Sequence, residues 1–149
     1  MKTDFLCKNL DNLGCEVFEF DVIKDIQERD DKPNYLNTKN VVPVGQVNKK
    51  LSEAVQKSIE QNFVPITLGG DHSLAIGSIH GSSTAITKRK DNKLLGSSMG
   101  VIWVDAHADI NTPLTSDSGN LHGQPLSFIL HELDKYLPSL EGFEWTEPW

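Results

Sequence analysis

The sequence predicts an α/β architecture with mainly parallel strands, and three observations carry that expectation. Residues 16–23 alternate apolar Phe18, Phe20 and Val22 with charged Glu19 and Asp21, the period of a half-buried strand. Residues 63–68 and 100–104 are short apolar runs, the pattern of strands buried in a parallel sheet. Between these runs apolar residues recur at helical spacing. Strand, helix, strand, helix in that order implies parallel strands joined by right-handed crossovers. Ligands of such sheets gather at the carboxyl ends of the strands.

The remaining elements follow from local signals. Residues 4–13 read as a short helix: Thr3 or Asp4 can cap it, Leu6, Leu10 and Leu13 share a face, and Gly14 can end it. Residues 24–40 are polar, with Pro33, Asn34 and Asn37, and predict a surface loop. Val47, Leu51, Ala54, Val55 and Ile59 predict a second helix, with Glu53 and Lys57 four apart on its outer side. Leu74, Ile76, Ile79, Ala85 and Ile86 predict a third, interrupted at Gly81. Residues 87–99 are charged and then Gly/Ser-rich, a solvated loop. Residues 111–121 form a Pro/Thr/Ser/Gly-rich loop. Residues 124–137 predict a helix with Pro125 in its first turn, and a loop follows Pro138.

Composition narrows the function. The chain has 149 residues, with 14 Lys and Arg against 21 Asp and Glu, a formal net charge of −7. That length suits one domain, which buries ~70% of its unfolded surface. The acidic balance argues against nucleic acid as partner, and no apolar run is long enough to span a bilayer. The first ten residues lack a signal-peptide core, and Asp4 and Asp11 disfavour a mitochondrial presequence. A cytoplasmic home is expected. The two cysteines, Cys7 and Cys15, make no disulfide framework and are expected as buried apolar thiols.

The chemistry concentrates after two strands. Asp105-Ala106-His107-Ala108-Asp109 follows the run that ends at Val104. On an extended backbone residues two apart point the same way, so Asp105, His107 and Asp109 should converge. Two carboxylates packed together are costly without a cation. Asp71-His72 follows Gly69-Gly70, whose glycines permit a sharp turn. If the two strands are neighbours, His72 joins the cluster. The ligand set His72, Asp105, His107 and Asp109 holds oxygen and imidazole donors but no thiolate. It favours Mn, Fe, Co, Ni or Zn over a structural Cys-zinc site. Asp71 is a candidate to orient an imidazole N–H. The loop 111–123 offers amides and hydroxyls to a polar zwitterion, and His122 can move protons near neutrality.

These residues together resemble the arginases, of the ureohydrolase family. The resemblance rests on Leu68-Gly69-Gly70-Asp71-His72-Ser73, on Trp103-Val104-Asp105-Ala106-His107-Ala108-Asp109-Ile110-Asn111-Thr112-Pro113, and on Ser118-Gly119-Asn120-Leu121-His122-Gly123-Gln124-Pro125. The first two motifs are shared with agmatinases; Asn111-Thr112-Pro113 with Ser118-Gly119-Asn120 resembles arginases alone. The resemblance implies a three-layer α/β/α domain around a mainly parallel sheet. It implies hydrolysis of L-arginine to L-ornithine and urea by a hydroxide that bridges two Mn²⁺ ions. His72 and Asp109 would bind one manganese, His107 the other, and Asp105 both. Asp109 would also orient the hydroxide, and His122 would shuttle protons. Asn111 and Ser118 would hold the substrate carboxylate, with Asn120 beside them. A homotrimer is implied for the complete protein.

Three departures modify that expectation. No Asp-x-Asp occurs after Ile110, where the only aspartates are Asp117 and Asp134. The family's opening strand is not found before Met1. Asp117 stands where arginases have a small hydroxyl residue. The sequence therefore reads as one partial arginase-like domain over residues 1–149, cut at both ends. It is expected to be inactive alone, and a targeting segment upstream would redirect it to mitochondria. The competing readings are a related ureohydrolase such as agmatinase, and a non-catalytic fragment.

Overall fold

The computed structural model describes residues 2–24, 36, 38–88 and 99–147. Most of the expected loop 24–40 and the charged stretch 89–98 lie outside the described residues. Four α-helices are present among those described: α1 (Lys2–Asn12), α2 (Val41–Glu60), α3 (Ala75–Lys88) and α4 (His131–Asp134). Short 3₁₀ turns occur at His72–Leu74, Leu121–Gly123 and Pro125–Phe128.

The centre of the fold is the packing of α2 on α3. Small and polar residues meet at the closest approach: Asn48 and Ser52 on α2 and Gly77 and Gly81 on α3 are all buried. A Cβ at Gly77 would collide with the Asn48 carbonyl oxygen, and one at Gly81 with that of Ser52. The backbones therefore touch, which only glycine permits at these two positions. Asn48 is fully buried. Its Oδ1 accepts the Gly77 N–H at 2.7 Å, and its Nδ2 donates to the Val44 carbonyl at 3.0 Å. The Gly77 N–H lies in the first turn of α3, where helices have no internal acceptor. The side chain of α2 thus supplies a bond that the backbone of α3 cannot make for itself.

The apolar core lies where α3 meets the C-terminal third. Ile76, Leu121, Phe128, Ile129, Leu140 and Phe143 are buried together, with Val41, Val44 and Trp145 packed against them. The Phe128 and Phe143 rings approach to 4.5 Å.

The sheet expected from the sequence has no counterpart among the described residues. Segments 16–23, 63–68 and 100–104 form no strand there, and no backbone hydrogen bond joins one of them to another. They still run close to one another. Phe18 and Phe63 are 4.6 Å apart, and Thr67, Ile102 and Val104 line one cavity. The physical difference is coverage. Val64, Ile102 and Val104 are 87%, 92% and 92% exposed, whereas the intervening Phe63, Pro65 and Trp103 are half-buried. The runs are apolar on both faces, yet neighbours cover only one. In residues 16–23 the alternation is lost: residues 18–22 are all exposed, Phe18, Phe20 and Val22 included, and only Val17 and Ile23 are half-buried.

Three further expectations change. The helix expected over 124–137 divides into Pro125–Phe128 and α4. Gly81 does not interrupt α3, because its missing side chain serves the approach of α2 rather than a bend. The cysteines are not buried apolar thiols. Cys15 is exposed, and the half-buried Cys7 Sγ donates to Glu19 Oε1 at 3.1 Å, which raises its pKa above the usual thiol value.

Replacing Gly77 by Ala should destabilise the chain by about 1–3 kcal/mol, the range for overpacking a tight interior. Urea denaturation measures this. Gly100→Ala is the control, since no described residue other than its chain neighbours lies within 4 Å of its added Cβ.

Candidate metal centre

His72 opens the 3₁₀ turn that leads into α3, and Asp71 caps that turn. Asp71 Oδ1 accepts the Ser73 backbone N–H at 2.9 Å and the Ser73 hydroxyl at 2.5 Å. The imidazole is thereby fixed to the start of α3, which Asn48 ties to α2. Gly69 contributes by absence: a Cβ there would collide with the Leu74 side chain.

Asp105 and Asp109 arrive from the end of segment 100–104. The chain bends back at once, because Asp105 Oδ1 accepts the His107 backbone N–H at 3.0 Å. Asp109 adopts a left-handed backbone with φ 49°, a conformation that costs a non-glycine residue roughly 1–2 kcal/mol and that Asp tolerates better than most. Two ties hold it there. The Asp109 carbonyl accepts from Leu126 N–H, and the Asn111 N–H donates to the Gly123 carbonyl, both at 3.2 Å. Strain retained in this way is typical of binding and catalytic positions.

The outcome is a three-membered cluster. His72 Nδ1 lies 2.7 Å from Asp105 Oδ2 and 3.0 Å from Asp109 Oδ2. The three donor atoms all fall within 4.8 Å of one another. The carboxylate side chains are only 10% and 7% exposed, against 55% for the imidazole. The hydrogen bond to Asp109 is the largest cause of a raised His72 pKa, followed by the charge of Asp105. Asp105 is itself held below the usual carboxylate range, first by the His107 N–H. A proton on His72 thus occupies the place where positive charge is most stabilised. The donor set of two buried carboxylates and one imidazole fits a hard or borderline divalent cation, manganese among them. An open cavity of about 320 Å³ beside it is lined by Gly69, Asp71, His72, Trp103 and Asp105.

Other sequence-predicted residues stand outside this cluster. The His107 side chain is 82% exposed, with Nδ1 3.7 Å from Asp105 Oδ1. The bend at Asp105 breaks the extended alternation that was to bring it inward. His122 Nδ1 is 3.8 Å from Asp71 Oδ2, beyond hydrogen-bond reach. Asp71 orients no imidazole here and spends its Oδ1 on Ser73. In the loop, Asn111 Oδ1 accepts from Thr115 Oγ1 at 3.3 Å, and Ser118 Oγ from the Asn120 N–H at 3.3 Å. These groups satisfy one another across a self-bonded turn.

Sequence reasoning missed the bond that Ser73 makes beside the cluster. Ser73 fixes the Asp71 carboxylate, and the Asp-x-Ser spacing is the signal for such a local bond. Trp103 sets its ring edge-on to His72 at 6.3 Å, and its buried Nε1 has no partner among the described residues. No sequence pattern indicates that.

Comparison with known proteins bears on this geometry. The sequence model described as "Arginase family" matches residues 6–138. The chain is 46% identical over 144 residues to "Arginase-2, mitochondrial" of Bos taurus and 45% identical to that of Homo sapiens. Each match covers 96% of this chain and 38% of the relative, so the chain spans well under half of their length. Among solved structures, an arginase from Bacillus subtilis aligns with TM-score 0.68 at 38% identity, over 85% of this chain and 38% of that one. An Entamoeba histolytica arginase in complex with L-ornithine aligns with TM-score 0.63 at 32% identity, over 89% of this chain and 45% of that one.

Replacing Asp109 by Asn should lower the His72 pKa, because the largest cause of its elevation is removed. An NMR titration of the imidazole, without added metal, reads the midpoint; an unchanged midpoint would mean that the two groups do not pair in solution.

Proposed function

The chain belongs to the arginase family, and from that premise we propose that it carries part of a manganese site for hydrolysis of L-arginine to L-ornithine and urea. The convergence of His72, Asp105 and Asp109 is the observation that supports this most strongly. When bound at these residues, manganese would supply Lewis acidity and activate water near neutral pH. The chain's own groups do the rest. Asp105 and Asp109 present buried oxygens that favour a dication over solvent. The two backbone ties to Gly123 and Leu126 keep the Asp109 carboxylate aimed at the cluster. His107 sits beside Asp105 and is proposed as a ligand of a second ion, with Asp105 between the two. His122 is exposed at the rim, where an imidazole can pass a proton to the departing amine. Asn111, Ser118 and Asn120 offer neutral hydrogen-bonding groups to the amino-acid end of the substrate. The arginase solved with L-ornithine supports that class of ligand.

The rest of the reading is coarser. Segments 16–23, 63–68 and 100–104 are proposed as neighbouring strands of a mainly parallel sheet in a three-layer arginase domain. A homotrimer goes with the complete protein. The compartment is cytoplasmic, or mitochondrial as the two mammalian relatives are named. The 149-residue chain alone is expected to release little urea, because three converging donors suit one ion rather than two.

Two measurements test this. Mn²⁺ titrated into the chain should show electron-paramagnetic-resonance binding that Asp105→Asn weakens at least tenfold; equal binding by the variant would remove Asp105 from the site. With Mn²⁺ present, L-ornithine should protect the 111–123 loop from hydrogen exchange. Putrescine, which lacks the carboxylate, should not. Equal protection by both would place the recognition of the amino-acid end elsewhere.

A further inference from the structure

A second histidine is engaged far from the metal cluster. His80, on α3, places Nδ1 2.9 Å from the Ser52 hydroxyl of α2. Its ring also meets Trp145 at 5.1 Å and 86°, edge to face. One side chain therefore contacts three parts of the fold: α2, α3 and the segment 140–147.

That segment is built to lie flat on the helix pair. Trp145 Nε1 donates to the Gly142 carbonyl at 2.8 Å, closing a tight loop. Gly142 has φ 89°, a left-handed conformation suited to glycine. A Cβ at Gly45 of α2 would collide with the Gly142 carbonyl, so backbone touches backbone again. Phe143 stacks on Trp145 at 6.3 Å and 22° and reaches the core beside Phe128. The outer end of this arrangement, Trp145, rests on His80.

We propose that His80 is an acid-sensitive clasp that holds segment 140–147 against α2 and α3 while the imidazole is neutral and loosens it when the imidazole takes a proton. The charged groups facing His80 are few. Glu147 faces it from the C-terminal segment and Lys88 from its own helix, while α2 presents the neutral Ser52. Burial is the largest influence and pushes the pKa below the ordinary 6.5; Lys88 adds to this and Glu147 opposes it. The sign follows. An unfolded or undocked chain accepts the proton at higher pH than the docked one. The docked state is therefore fully favoured above about pH 6.5, and loses stability as pH falls through the lowered value. Neither histidine nor tryptophan here touches the metal cluster, so the clasp is independent of the proposed catalytic role.

The experiment is a two-dimensional NMR titration of the 149-residue chain from pH 8 to pH 5, following the His80 ring and the Trp145 indole N–H. The indole resonance should move towards the free-indole position with the same midpoint as His80, below pH 6.5. In His80→Gln, which stays neutral, it should not move. Glu147→Gln removes an exposed opposing charge, so both midpoints should fall together by the same amount. An indole signal that stays still while His80 titrates would overturn the proposal. So would the same movement in His80→Gln, or a Glu147→Gln shift seen in only one of the two signals.

Discussion

Backbone contact between two helices is the constraint on which the rest of this structure depends. Gly77 and Gly81 let α3 approach α2 until main-chain atoms meet, and Asn48 fills the one hydrogen-bonding need that the approach creates. The consequence is positional. The turn carrying His72 is covalently continuous with the start of α3, so the register of the helix pair sets where the imidazole stands. At its closest points the seam is polar and small, which makes it specific. An interface of interdigitated leucines can slide with modest repacking; one made of backbone contacts and a buried amide has a single register.

The His72, Asp105 and Asp109 cluster shows the opposite economy. Its carboxylates are brought together against their own repulsion and against a strained Asp109 backbone. Positive charge offsets that cost: a proton on His72, whose pKa the carboxylates raise, or a dication in the proposed function. The competition between proton and cation for one position follows from electrostatics alone, since both are stabilised by the same two carboxylates.

The convergence at the candidate site was legible in the sequence. His72, Asp105 and Asp109 were marked by their place directly after apolar runs, and they do meet. The reasoning failed where a local bond outcompeted periodicity. His107 was assigned inward by alternation, but the Asp105 side chain captures its backbone N–H and turns the chain. Helices α1 to α3 were legible because their apolar spacing is helical. The extension of α2 back to Val41 was not, since Pro43 and Gly45 hide it. The sheet was inferred from segments apolar on both faces. Those segments lie side by side but exchange no backbone hydrogen bonds among the described residues, and one face stays open to solvent. Apolar patterning reports what a residue can bury against, not whether the partner surface is present.

Trp103 gives the site an optical handle. Its indole stands edge-on to His72, and its N–H is buried without an acceptor among the described residues. Indole emission responds to nearby charge, and a paramagnetic ion at this range shortens the excited state. Trp145 rests on His80 instead, further along α3. The same chain therefore holds one fluorophore against the candidate metal position and another against a different histidine. Occupancy could be followed by the light the protein itself emits, with no added label.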